Sequence, residues 1–61
     1  MYLYITEDKT AQKQEALSIE DVLAVQNREL DIYRFNFSRH RFERLTVEKD
    51  DSGITRIWEI V

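Results

Sequence analysis

The chain has no cysteine and no proline, and one glycine, one histidine and one methionine among its 61 residues. Each scarcity removes a class of chemistry. Without cysteine there is no disulfide framework, no thiolate metal site and no sulfur nucleophile. A lone histidine, His40, cannot build the multi-histidine zinc sites found within single chains. A lone glycine, Gly53, excludes a glycine-rich phosphate loop. The serines are Ser18, Ser38 and Ser52, and none stands in a nucleophile-elbow context. No apolar run approaches about 18 residues. Glu7 and Asp8 interrupt the N-terminus early, so no signal-peptide pattern is present either. The expectation is a cytoplasmic protein that does not span a membrane, with no catalytic site, no metal and no cofactor.

Length points to one domain, 1–61. A chain of this size buries only about 60% of its unfolded surface. Its net stability should be a few kcal/mol, so it gains from a partner or from a second copy of itself. No Gly/Ser linker, low-complexity run or internal repeat divides it.

What the sequence does contain is concentrated in 34–44. Arg34, Arg39, Arg41 and Arg44, set against Glu43, give this stretch a formal charge of +3 in a chain whose total is −3. The remainder therefore carries −6. Phe35, Phe37 and Phe42 interleave with the arginines, and His40 lies among them.

The local patterns predict an α+β order. Tyr2-Leu3-Tyr4-Ile5-Thr6 reads as a strand, followed by a turn at Glu7-Asp8-Lys9. Thr10 to Gln14 reads either as a loop or as a short polar edge strand. A lysine-bearing edge discourages aggregation, which favours the strand. Ser18 is the N-cap of a helix of about nine residues, with Asp21 in the reciprocal position of a capping box. Leu17 and Val22 form the hydrophobic staple. Ile19, Val22 and Leu23, widened by Val25, give the apolar stripe, interrupted at Gln26. Asn27 is the expected left-handed terminator. Three strands should follow, at 31–37, 41–48 and 54–61, with a turn at Lys49-Asp50-Asp51-Ser52-Gly53. Tyr33, Phe35 and Phe37 share one face of the first of these strands. Phe42 lies opposite Leu45 and Val47 in the second.

Widths then set a constraint. Four or five strands spaced about 4.8 Å apart make a sheet roughly 19–24 Å across. One helix with its side chains is about 10–12 Å in diameter. A single short helix cannot cover such a sheet, yet the strands carry apolar residues on both faces. Either the sheet curls strongly around the helix, or one face meets another protein.

Three functional readings compete. The first is a non-enzymatic interaction protein that binds itself, as a homodimer, or another protein through an apolar and aromatic sheet face. Tyr4, Phe42 and Trp58 would be its anchors. The second is weak single-stranded nucleic-acid binding through Arg34, Arg39, His40, Arg41, Phe42 and Arg44. There arginines would meet phosphates and aromatics would stack on bases. A pI near 5.0 opposes it. A sharper variant of the first, protein-binding reading makes the acidic surface an inhibitor of a basic nucleic-acid-binding host protein. Catalysis is the third, with His40 and Glu43 or Asp31 as an acid–base pair. A lone histidine in an arginine-rich turn is more often an exposed surface residue, so this reading is set aside.

Met1-Tyr2-Leu3-Tyr4-Ile5-Thr6-Glu7-Asp8, the helix start Leu17-Ser18-Ile19-Glu20-Asp21-Val22 and the late Trp58-Glu59-Ile60-Val61 resemble small orphan proteins of bacteriophages and mobile elements. The resemblance implies an interaction role and assigns no functional residue.

Overall fold

Alternation on the strands and a short amphipathic run between them produce a two-layer α+β fold. The computed structural model describes residues 1–6 and 8–61. The elements are β1 (Tyr2–Thr6), β2 (Ala11–Gln14), α1 (Ile19–Gln26), β3 (Leu30–Asn36), β4 (Arg41–Asp50) and β5 (Gly53–Ile60). The strands form one antiparallel sheet in the order β2-β1-β3-β4-β5. The sheet is open, with β2 and β5 at its edges. Of the stretch Thr10 to Gln14, Ala11–Gln14 thus forms the polar edge strand rather than a loop. The predicted turn at 7–9 includes Glu7, which lies outside the described residues.

The helix starts as the sequence predicts. Ser18 Oγ accepts from the Asp21 N–H at 3.2 Å, and Asp21 Oδ2 accepts from the Ser18 N–H at 3.2 Å. Two of the orphan donors of the first turn are satisfied reciprocally. The helix stops at Gln26 with Asn27 as its C-cap, as the sequence predicts, but the left-handed residue is a different one. Asn27 has φ −83° and is not left-handed. Arg28 takes that conformation, with φ 61°. Its N–H donates to Val25 O, and the Glu29 N–H donates to Ala24 O, which together make a Schellman motif. The left-handed residue therefore sits one position after Asn27, two residues before β3 opens at Leu30.

The stripe also needs correction. Val22 is fully buried and Val25 half-buried, but Ile19 and Leu23 are exposed on the outer side of the helix. The helix rests on β3 and β4, and its inward direction runs through Val22 and Val25. Ile19 and Leu23 stand four residues apart and share the opposite flank.

Tyr4, Val22, Ile32 and Leu45 form the core, ringed by Tyr2, Leu17, Val25, Leu30, Val47 and Trp58. The register explains the selection. Tyr4 pairs with Ile32 across β1 and β3, and Leu45 pairs with Trp58 across β4 and β5. All four project to the helix side. The smallest dimension of the molecule is 19 Å, the thickness of one sheet plus one helix. Among the described residues nothing covers the other sheet face.

Two hairpins complete the frame. Between Asn36 and Arg41 the loop Phe37–His40 turns with His40 at φ 54°. Asn36 Oδ1 accepts from the Arg39 N–H at 3.1 Å. Phe37 therefore falls in the turn and not in the strand, because β3 ends at Asn36. The second hairpin turns through Asp51 and Ser52, with Asp50 Oδ1 accepting from the Ser52 N–H at 2.9 Å.

Candidate functional site

Among the described residues no element packs on the sheet face away from the helix. Two consecutive cross-strand rows define it. In the first, paired neighbours run Lys13, Leu3, Tyr33, Arg44, Glu59 from β2 to β5. In the second, Phe35 pairs with Phe42, and Val61 N–H donates to Phe42 O at 3.0 Å, so Val61 lies beside Phe42. Met1 flanks Phe35 on the other side, one residue beyond the Tyr2–Arg34 pair. This second row is apolar throughout. Phe42 is 48% exposed, Val61 68% and Met1 70%. The Phe35 ring makes edge contacts with Phe42 at 5.2 Å and with Phe37 at 5.0 Å between centroids, a favoured aromatic arrangement. Two shallow apolar hollows lie on this face, both lined by Leu3, Tyr33 and Phe42, one extending to Lys13 and the other to Ile5 and Val61.

The structure divides the residues singled out from the sequence. Phe42 and Arg44 lie on the open face. Arg39 and His40 occupy the exposed hairpin tip, and Arg41 opens β4 beside it. Arg34 projects to the helix side, where its Nε lies 2.8 Å from Glu43 Oε1. Its guanidinium carbon also stands 4.2 Å from the centre of the Trp58 ring. Glu43 is only 8% exposed, and the Arg34 hydrogen bond is the main reason its carboxyl titrates below the usual range.

Tyr4 and Trp58 are not brought together with Phe42. Tyr4 is buried beneath the helix, and its hydroxyl lies 2.7 Å from Asp21 Oδ2 and 3.0 Å from Ala16 O. Burial, reinforced by the bond to Asp21, pushes its pKa up to about 12. Asp21 is itself partly buried, which alone would raise its pKa. Hydrogen bonds from Tyr4 and Ser18 outweigh that and hold the carboxyl below the usual range. Trp58 stacks on Tyr2 at 5.9 Å on the helix side. Alternation places both aromatics opposite Phe42, so they build the core edge and not the open face.

The sequence reading missed Leu3, Ile5, Tyr33, Val61 and Met1 as members of the face. Their signal was present as the second side of each alternating strand, but identifying it requires the register between strands. Elsewhere, a cleft at the helix C-terminus mixes Lys9 and Arg28 with Glu29 and Asp31. Two positive and two negative side chains line it, so it has no net charge of either sign. Among the described residues no cluster of His, Asp and Glu could hold a metal ion. No helix of the described residues is long and apolar enough to cross a membrane.

No family model, no curated protein and no solved structure matches the chain. The functional reading is therefore built from geometry.

Proposed function

We propose that this chain is a non-enzymatic interaction protein that docks another polypeptide on its open aromatic sheet face. One observation carries the reading: Met1, Phe42 and Val61 are exposed around half-buried Phe35 in one continuous row on the side away from the helix. Contiguous exposed apolar surface on a small domain marks an interaction site, and aromatic rings are the usual anchors. The resemblance to small proteins of mobile elements points the same way.

A protein partner fits this face better than nucleic acid. Single-strand binding needs a basic track along its stacking residues. Here Lys13 and Arg44 share the face with Asp31, Glu48 and Glu59, so it carries no net positive charge. Arg34, which stands between Tyr33 and Phe35 in sequence, is committed to Glu43 on the opposite side.

The test is a photo-crosslinking aromatic residue placed at Phe42 in the cell, with the same residue at Ile19 on the outer flank of the helix as control. A covalent product from position 42 and none from 19 supports the reading. A product of twice the 7.4 kDa chain mass identifies a second copy, and any other mass identifies an unlike protein. Equal yields at the two positions, or none at 42, overturn it.

A further inference from the structure

The two edges of the sheet are built differently. β2 has four residues, carries Lys13 and is exposed throughout. Short, polar, lysine-bearing edges resist pairing with another chain. β5 has eight residues without lysine or proline. Its register against β4 runs without a bulge from Glu43–Ile60 to Asp50–Gly53. It packs along β4 and ends the strand order. A long, regular, unblunted edge is a template for strand addition.

Ladder geometry identifies the free backbone groups. Val61 N–H points at β4, where it bonds Phe42 O. Antiparallel ladders alternate, so Thr55, Ile57 and Glu59 also point inward, and Ile54, Arg56, Trp58 and Ile60 direct their N–H and C=O groups outward. The side chains of those same four residues lie on the helix side, with Thr55, Ile57 and Glu59 on the open side. Ile54 and Ile60 are 38% and 41% exposed.

We propose that β5 pairs antiparallel with β5 of a second copy about a two-fold axis through Ile57. The strand is self-complementary in this register. Ile54 falls opposite Ile60 of the second copy, and Arg56 opposite Trp58, whose indole its aliphatic stem can cover. Thr55 falls opposite Glu59, and Ile57 meets its own equivalent. All four outward residues find partners, and no like charges are opposed. Shifting the axis to Arg56 sets two arginines directly against each other, which is destabilising. Shifting it to Trp58 sets Ile57 against Glu59 and leaves Ile54 unpaired. A two-fold perpendicular to the sheet keeps both helices on one side. The two open faces then join as one platform. The pairing leaves those faces free, so it stands apart from the docking function proposed above.

Two measurements test the pairing. The first is amide exchange on the unaltered chain at micromolar and millimolar concentration. Protection at Ile54, Arg56, Trp58 and Ile60 should rise with concentration, while Thr55, Ile57 and Glu59 stay protected throughout. The second uses the absence of cysteine to make single-thiol variants. In the Ile57→Cys variant the two thiols sit at a non-hydrogen-bonded pair, with Cα atoms about 4.5 Å apart, within disulfide reach. In the Thr55→Cys variant each thiol lies two residues from the axis, roughly 13 Å from its equivalent at strand rise. Under mild oxidation the first should form a covalent dimer about tenfold faster or more, the advantage of a preformed pair over collision. Either of two results overturns the proposal: exchange at the four outward amides that is independent of concentration, or a Thr55→Cys variant that bridges as fast as Ile57→Cys.

Discussion

The Tyr4 hydroxyl and the Asp21 carboxylate meet at 2.7 Å across the interior. This bond ties the first strand of the sheet to the first turn of the helix. Asp21 also closes the capping box with Ser18, so one carboxylate serves the helix end and the sheet together. Its negative charge also suits the positive end of the helix dipole.

Both members of that pair make stability depend on pH, in opposite senses. Tyr4 has a folded pKa raised to about 12. Its contribution is complete below the ordinary tyrosine value near 10 and is lost as pH rises towards 12. Asp21 has a lowered folded pKa. Its contribution is present above the ordinary carboxylate value near 4 and is lost as pH falls below it. Tyr4→Phe should destabilise the protein by about 1.5 kcal/mol at neutral pH, through loss of a bond to a charged group. It should also flatten the alkaline limb of the stability profile. Urea unfolding of both proteins from neutrality to pH 12 checks this, and equal alkaline slopes would refute it.

Ser18→Ala should cost about 1 kcal/mol through loss of the N-cap bond, with the helix retained. Chemical denaturation followed by circular dichroism measures the loss. An unchanged midpoint would mean that Asp21 alone holds the first turn.

Arg28 occupies a left-handed position that costs a side chain about 1 kcal/mol. Arg28→Gly should therefore stabilise the fold, by about 0.5–1 kcal/mol. A decrease in melting temperature would show that the arginine side chain makes a contact outweighing its strain.

Arg39 and Arg41 stand at the exposed tip end of the first hairpin, so their joint replacement by alanine should shift stability by no more than about 0.5–1 kcal/mol. Arg34→Ala should shift it further, because it strips the partner from nearly buried Glu43 and uncovers Trp58. Melting curves of the two variants rank the effects, and the reverse order would contradict the division of the arginines between surface and core.

Most of the fold was legible in short range. The capping box at Ser18 and Asp21, the alternation of Tyr2 to Thr6 and the turn before Gly53 each draw on a few adjacent residues. What failed depended on rotation or register. Nothing near Arg28 marks it as the left-handed residue, since glycine or asparagine is the usual signal. Ile19 and Leu23 read as core because hydrophobic spacing does not reveal which flank meets the sheet. Aromatic character alone groups Tyr4 and Trp58 with Phe42. Only the pairings Tyr4–Ile32 and Leu45–Trp58, set against Phe35–Phe42, place them on opposite faces.

The strand order also has a kinetic consequence. Every pairing in the sheet joins neighbours along the chain except that of β1 with β3, whose partners run from Thr6–Leu30, 24 positions apart, to Tyr2–Arg34, 32 apart, and carry the largest loop-closure cost. The meander of β3, β4 and β5 closes through short turns and can assemble first. The N-terminal hairpin, although earliest in synthesis, has no sheet to join until β3 exists. Docking of β1 through Tyr4 then becomes the late event, so that losing the Tyr4–Asp21 bond should accelerate unfolding while leaving the folding rate nearly unchanged.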